Sequence, residues 1–187
     1  MTSQEFLKGK LLISMPGMAD YRFNEAVIYI CDHSSDGAMG LVINHLAKDN
    51  HLSNLLEDMN VNTSKLIDNI KLQSGGPVET IRGFVLHSND YYSSNTIKIT
   101  NEVYLTSSVD ILKAISKGDG PKKTIIALGY AGWGPGQLEE EIQENIWLHA
   151  QADNELLFNC DLDKKWQESV NRIGINLSRF SINPGHA

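Results

Sequence analysis

The chain has 187 residues and a formal net charge of −7, with 16 Lys and Arg against 23 Asp and Glu. Apolar residues make up 41% and charged residues 21%, which is typical of a soluble globular protein able to bury a core. The negative charge argues against nucleic acid and anionic membranes as partners, because neutralising phosphate groups requires clustered Lys and Arg.

Cysteine usage and hydropathy predict a cytoplasmic protein. Cys31 and Cys160 lie far apart in a sequence without a Cys-x-x-Cys pair, as expected in a reducing compartment. The apolar run Leu11–Ile13 that follows Lys8 and Lys10 is too short for the core of a signal peptide. No apolar run in the sequence approaches the roughly 20 residues of a membrane helix.

The first half of the chain alternates short apolar runs with turn signals. A hairpin is predicted where two Val- and Ile-rich runs flank the polar turn Asp32–Gly37. Both alternating sets of residues in the first run are apolar, which predicts a central strand covered on both faces. The predicted elements are, in order, strands at 9–14, 26–31 and 38–44, a helix at 52–59, and strands at 70–73 and 82–87 around the tight turn Gly75-Gly76-Pro77.

The second half mixes strands and helices without strict alternation, which favours an α+β fold with a mixed sheet over a doubly wound one. Ser107 or Ser108 can cap the helix that Gly118 ends, and Asp161 can cap the last helix. We expect a single domain over 1–187, with a frayed tail from about 181 to 187. The predicted elements are, in order, strands at 96–99 and 102–105, a helix ending at Lys117, a strand at 124–128, a helix at about 135–144, a strand at 146–150 and a helix at 162–173.

The stretch from Gly129 to Glu141 joins a strand to a helix and has four glycines and a proline around Trp133. Its spacing resembles a dinucleotide fingerprint, but Gln137 stands where the third glycine of that motif belongs. The glutamates at 139–141 would also repel a phosphate, and we interpret them as a well-formed, solvated helix start. Two alternatives stay open for Trp133: it packs on the core while the glycines make room, or it contacts a ligand or partner.

The usual signatures of catalysis and metal binding are absent from the sequence. It has no Gly-x-Ser-x-Gly nucleophile elbow, no His-Glu-x-x-His pair and no Walker loop. The six histidines are dispersed, whereas a zinc site needs three or four converging ligands. The sequence therefore predicts neither a metal nor a cofactor.

Four motifs, taken in order, cover nearly the whole chain. They are Pro16-x-Met18-x-Asp20-x-x-Phe23; His33 followed by Gly37-Ala38-Met39-Gly40-Leu41-Val42-Ile43-Asn44; Gly75-Gly76-Pro77-Val78 with Gly83-Phe84-Val85-Leu86-His87; and the Gly129–Glu141 stretch followed by Trp147-Leu148. With these motifs the chain resembles the YqgE/AlgH family of small bacterial proteins. It departs from the family's pattern at Ala26, where a serine is frequent, and at His45-Leu46, where Arg-Pro is frequent.

The resemblance implies a single compact mixed α/β fold, with a strongly curved, barrel-like sheet and helices packed outside it. The biochemical activity of the family is uncharacterised, and it offers no catalytic residues to carry over. One branch has a name linked to transcriptional control of alginate production, which suggests a regulatory role.

The leading hypothesis is a non-catalytic binding or regulatory protein whose partner is an unknown small molecule or protein. In this hypothesis the glycine-bounded loops meet in space and form a single contact surface. Trp133 would stack on the ligand, Gln137 and Asn44 would hydrogen-bond it, and backbone amides exposed by glycine would complete the site. The predicted binding residues are Asp20, Asn44, Gly75, Gly76, Pro77, Trp133, Gly134, Gly136 and Gln137.

Two other hypotheses assign the chain to different classes of protein. An unrecognised small-molecule enzyme would use acid–base residues, and it requires two of them within hydrogen-bonding reach in one pocket. A nucleic-acid-binding protein is suggested only by the regulatory name and needs a positively charged groove. The acid–base candidates are Asp20, His33, His87 and Glu139.

Overall fold

The computed structural model describes residues 6–62, 67 and 69–175, without the side chains of residues 49 and 50. The tail predicted at 181–187 lies outside these residues. The strands are β1 (Lys10–Ser14), β2 (Val27–Ser34), β3 (Gly37–Val42), β4 (Leu46–His51), β5 (Lys71–Ser74), β6 (Val78–Ser88), β7 (Thr96–Lys98), β8 (Val103–Thr106), β9 (Thr124–Trp133) and β10 (Trp147–Gln151). The α-helices are α1 (Leu52–Asp58), α2 (Val109–Lys117), α3 (Gln137–Gln143) and α4 (Leu162–Arg172), with a 3₁₀ turn at Tyr21–Phe23 and a π-helix at Glu155–Asn159.

The long strand β9 joins the two parts of the sheet. Its first half pairs with β5 on one edge and with β6 on the other, whereas Ala131–Trp133 pair with β3. The sheet therefore runs β10-β1-β2-β3-β9-β6-β8-β7, with β4 attached through β5. Only the pairing of β5 with β9 is parallel among the pairs of described strands. Gly129, with a φ of 73°, lies between the two halves, where the register with β6 is irregular.

Three apolar clusters show how the curved sheet is filled. The first cluster joins strands from both parts of the sheet to Trp166 and Val170 of α4. A second cluster packs β1–β3 against Leu138 of α3, and a third packs β5, β6 and β9 against α1 and α2. Burial of these apolar faces is the main force that holds the layers together. The mixed sheet with its packed helices confirms the predicted mixed α/β fold.

The sequence pattern located most elements to within a few residues. The hairpin of β2 and β3 is confirmed, and β2 is a central strand between β1 and β3. Gly118 ends α2 in a left-handed conformation, as predicted, whereas the Ser108 side chain makes no capping bond. The pattern missed β4, because Leu46–His51 has no apolar alternation and becomes a strand by pairing with β5.

Candidate functional site

The glycine-rich stretch is more regular than the sequence predicts. The expected strand ends at Leu128, but β9 continues to Trp133 because its last three residues pair with β3. Helix α3 begins at Gln137, not at Pro135 as expected. The connection between strand and helix is therefore only three residues long.

The ring of Trp133 packs on the core, which is the first of the two alternatives. The residue is 7% exposed, and its indole N–H donates to Glu141 Oε2 at 2.9 Å. Trp147 donates to the same oxygen at 2.7 Å, and the two indole rings meet edge to face. The Gln137 amide donates to the other carboxylate oxygen at 2.8 Å. Glu141 is therefore the polar centre of an aromatic cluster.

The prediction of a solvated helix face is wrong for two of the three glutamates after the turn. Glu141 accepts the three bonds just described, and Glu139 Oε1 lies 3.0 Å from Nε2 of His33. Two residues along a helix correspond to about 200°, so these side chains leave α3 in different directions. Only Glu140 is exposed to solvent as predicted.

The glycines between β5 and β6 allow two backbones to cross in contact. A Cβ on Gly75 would overlap the carbonyl of Gly129, and one on Gly76 would overlap the backbone of Tyr130. The Gly75 amide donates to the carbonyl of Leu128 at 2.7 Å. The predicted site requires backbone amides that are free to bind a ligand. The Gly75 amide is already bonded within the fold, so it does not meet this requirement.

Three segments of the chain enclose a cleft of about 690 Å³, which we call the tryptophan cleft. It brings together four of the predicted residues, Asp20, Pro77, Trp133 and Gln137. The cleft is lined by 15–20, 22–23, 77–78, 131–133, Gln137, Glu141 and 145–147.

An ion pair and an aromatic wall give the tryptophan cleft its chemistry. Arg22 contacts both carboxylate oxygens of Asp20, at 2.9 and 2.6 Å, and these hydrogen bonds lower the pKa of Asp20. Phe23 packs edge to face against Trp147 with ring centroids 5.6 Å apart. Apolar walls with a few fixed polar groups are typical of ligand sites.

The other predicted binding residues lie outside this cleft. Asn44 accepts from the amide of Val27 and donates to the carbonyl of Glu25, each at 2.8 Å, so its amide group has partners within the fold. It lines a separate cleft. Gly76 lines a cleft beside His45. Gly134 and Gly136 form the turn before α3, where the Gly134 amide donates to Gln137 Oε1.

Sequence reasoning missed Glu141, Arg22 and Trp147 as residues of the cleft. Glu141 lies four residues after Gln137, so the two share one helix face and could have been paired by spacing alone. Arg22 lies two residues after Asp20, close enough for a local ion pair. The approach of Trp147 to Trp133 depends on the pairing of β10 with β1 and has no local signal.

Two of the four acid–base candidates meet, but in an enclosed position. The His33 side chain is 1% exposed, its Nδ1 accepts from the Leu7 amide at 2.9 Å, and its Nε2 faces Glu139. His87 is buried beside Thr106. Asp20 is in the tryptophan cleft. The four candidates are therefore not gathered in one pocket.

A second cleft, of about 620 Å³, is lined in part by Phe84 and Leu105 of the cluster that includes Trp166, and we call it the inner cleft. Met39, Phe84 and Tyr130 are among its apolar residues. Its polar residues include Asp36 and Arg82, and Arg82 is stacked over the ring of Phe84. The inner cleft and the tryptophan cleft meet at Val78, Gly132 and Trp133, which line both.

Two features are absent from the described part of the chain. No group of three or more His, Cys, Asp or Glu side chains converges there in an arrangement that could hold a metal ion. None of its helices has both the length and the hydrophobicity needed to cross a membrane.

The fold places the chain among mixed α/β proteins built on a curled sheet. A family model described as AlgH-like matches residues 11–178. A UPF0301 protein of Bradyrhizobium diazoefficiens is 50% identical, and the alignment covers 100% of this chain and 91% of that protein. The chain therefore belongs to the AlgH-like family, which confirms the resemblance found in its motifs.

Solved structures show the same fold. The solution structure of the AlgH protein from Pseudomonas aeruginosa is similar with a TM-score of 0.79 and 39% identity, over 100% of this chain and 99% of that one. A crystal structure of a protein from Corynebacterium diphtheriae has a TM-score of 0.74 over 97% of this chain and 95% of that one. At 21% identity, this second likeness concerns the fold alone.

Proposed function

We propose that this protein is a non-catalytic, cytoplasmic binding protein with a regulatory role, and that its ligand occupies the tryptophan cleft. The ligand is a small molecule or a segment of a partner protein. The observation that supports this proposal is the cleft itself. Three segments distant in sequence enclose a space of about 690 Å³, a volume in the range of ligand sites.

The polar groups of the cleft favour binding over catalysis. Glu141 accepts from two indoles and an amide, and Asp20 is paired with Arg22. A general acid or base must exchange a proton with a substrate, and groups held in such bonds are better suited to fixing the shape of a site. The enclosed His33–Glu139 contact is the main support for the alternative of a small-molecule enzyme.

A cleft-filling substitution tests the proposal without disturbing the buried tryptophans. Val78 lines the tryptophan cleft where it meets the inner cleft and is 37% exposed, so Val78→Trp should obstruct binding at this junction and leave the core intact. Val109, at the start of α2, is 38% exposed and provides the matched control Val109→Trp. Both variants and the wild type are screened against a metabolite library by thermal shift.

A ligand of the cleft should stabilise the wild type and Val109→Trp but not Val78→Trp. At a concentration 100 times its Kd, the expected rise in Tm is roughly 5–10 °C for a chain of this size. Equal stabilisation of both variants would place the ligand elsewhere. Pull-downs from native cytosol with the same three proteins test the partner-protein form of the proposal.

The regulatory role, including a link to transcription, rests on the name of one branch of the family alone. Complementing a deletion strain with each variant tests it. If the cleft has a regulatory role, Val109→Trp should restore the wild-type transcript profile and Val78→Trp should not. Identical profiles from both variants would contradict that role.

A further inference from the structure

The second half of β9 has an open edge between the two clefts, and we infer that an extended segment of a partner protein pairs with this edge as an added strand. The inference rests on the proposed function and specifies its ligand. It follows from the pairing of β9, the direction of its backbone groups and the position of the clefts on either side of it.

Pairing with β6 ends before β9 does. The last residue pair between the two strands is Val78 with Tyr130, and the chain before Val78 crosses to the other edge of β9. Residues Ala131–Trp133 pair with β3 on one edge only, and no described strand lies along their other edge. Gly132, in the middle of this segment, is exposed.

The backbone of Gly132 points to the open edge. The carbonyl of Trp133 lies against Gly37, so the polar groups of Trp133 face β3. In an antiparallel pair the backbone groups of successive residues point to opposite edges. The N–H and C=O of Gly132 therefore face away from β3. Unpaired groups at an exposed sheet edge are the site at which extended peptides add a strand.

The two clefts lie where the side chains of an added strand would point. Ala131 and Trp133 project to the face of the tryptophan cleft, and both line it. A Cβ on Gly132 would face the ring of Tyr130, which lines the inner cleft. Because side chains alternate along a strand, the segment would place its central side chain in the inner cleft and its two neighbours in the tryptophan cleft.

The charges and apolar walls of the clefts define the sequence of the segment. The tryptophan cleft offers Met15, Met18 and Phe23 to the two outer side chains, which should be apolar. In the inner cleft Arg82 is paired with Glu79, whereas Asp36 has no ion pair among the described residues. The central side chain should therefore be basic, and the motif is apolar–basic–apolar.

The segment continues the line of β6 and should run antiparallel to β9, as β6 does. The residue opposite Gly132 then exchanges both backbone hydrogen bonds with it. The amides of its two neighbours point away from β9. This alternation distinguishes strand addition from any other way of occupying the clefts.

A peptide selection followed by backbone methylation tests the inference. A displayed library of linear heptapeptides is selected on the full-length chain, and the tightest peptide is synthesised with one N-methyl group at each position in turn. Methylation at the basic residue should weaken binding roughly tenfold or more, because it removes the bonded N–H. Methylation at either neighbour should change the Kd by less than about threefold. The peptide should bind Val109→Trp but not Val78→Trp.

Several results would overturn strand addition. These are a selection without a binder, a binder whose methylation pattern does not alternate, and a binder that Val78→Trp still accepts. If the metabolite screen then finds a small molecule that stabilises Val109→Trp but not Val78→Trp, the proposed function stands and only the strand is wrong. If neither screen finds a ligand sensitive to Val78→Trp, both proposals fail.

Discussion

The two halves of β9 share one strand but have opposite surroundings. Ile126–Leu128 has β5 on one edge and β6 on the other, whereas Ala131–Trp133 pairs with β3 alone. Their glycines differ in the same way. Gly129 is in contact with the crossing segment before β6, and Gly132 is exposed. Glycine content alone therefore does not mark a binding site, and the pairing of each edge separates the structural glycine from the accessible one.

The largest expected effect tests whether Gly129 is required by the crossing. In Gly129→Ala the new Cβ would overlap the carbonyl of Gly76, and the left-handed φ of 73° adds strain. We expect a loss of about 4 kcal/mol in the free energy of unfolding, measured in urea. The control is Gly136→Ala, where φ is 75° and no atom lies within 4 Å of the new Cβ.

The control should lose only about 1–2 kcal/mol, the cost of the left-handed backbone itself. If both variants lose the same amount, the crossing accommodates a methyl group. The close contact would then not be the reason for a glycine at this boundary.

A smaller effect concerns His87 of β6, which is paired with Thr124 at the start of β9. The carbonyl of Ser88 accepts from its Nδ1, so its Nε2 accepts from the hydroxyl of Thr106. Losing these buried hydrogen bonds in His87→Asn should cost about 2–3 kcal/mol at pH 7. His149→Asn, at an exposed position on β10, should cost less than about 0.5 kcal/mol.

Acid should reduce the difference between the wild type and His87→Asn. Burial lowers the pKa of His87 below the ordinary value of 6.5. As the pH falls below about 6.5, the unfolded chain takes up a proton before the folded chain does, so the wild type loses stability. Urea titrations at pH 7 and at lower pH should therefore converge for these two proteins. A constant difference would mean that His87 does not titrate as a buried neutral group.

The fold was largely predictable because its signals are local. The apolar runs, the Gly118 stop and the spacing along α4 each identify an element from neighbouring residues. The exceptions depend on tertiary pairing. The polar strand β4 forms through β5, and β9 extends past Gly129 because β3 is beside it.

The site was less predictable than the fold, because only some of the residues predicted to form it lie together in the structure. Four predicted residues share the tryptophan cleft, but Asn44 and Gly75 have their hydrogen-bonding groups occupied within the fold. Sequence patterns indicate which residues are unusual and not which partner satisfies them. The role of Glu141 illustrates this limit, since a glutamate in an acidic run gives no sign that two indoles bond to it.

Glu141 of α3 accepts the indole N–H of Trp133 at the end of β9, so it offers a test in the half of the strand that pairs with β3. In Glu141→Gln one carboxylate oxygen becomes an NH₂ group, so a donor would face another donor in the cluster around Trp133. We expect a loss of about 1–2 kcal/mol in unfolding free energy and a change in tryptophan fluorescence. Glu140→Gln changes an exposed residue next to Glu141. Its free energy of unfolding should differ from that of the wild type by less than about 0.5 kcal/mol. Equal effects of the two variants would mean that Glu141 does not organise the aromatic cluster.

The last prediction requires no substitution. It concerns the hydrogen exchange of two amides in the same strand. Ala127 is paired with Gln73 on one edge and with Phe84 on the other, so its amide should exchange only when the strand opens. Its protection should exceed that of an unfolded chain by roughly 10³-fold or more. The amide of Gly132 faces the open edge and should be protected less than about tenfold. Equal protection of Gly132 and Ala127 would mean that this edge is covered in solution, and the distinction between the two halves of β9 would then be lost. A Gly132 amide that becomes protected only when the selected peptide is added would instead localise the added strand to this edge.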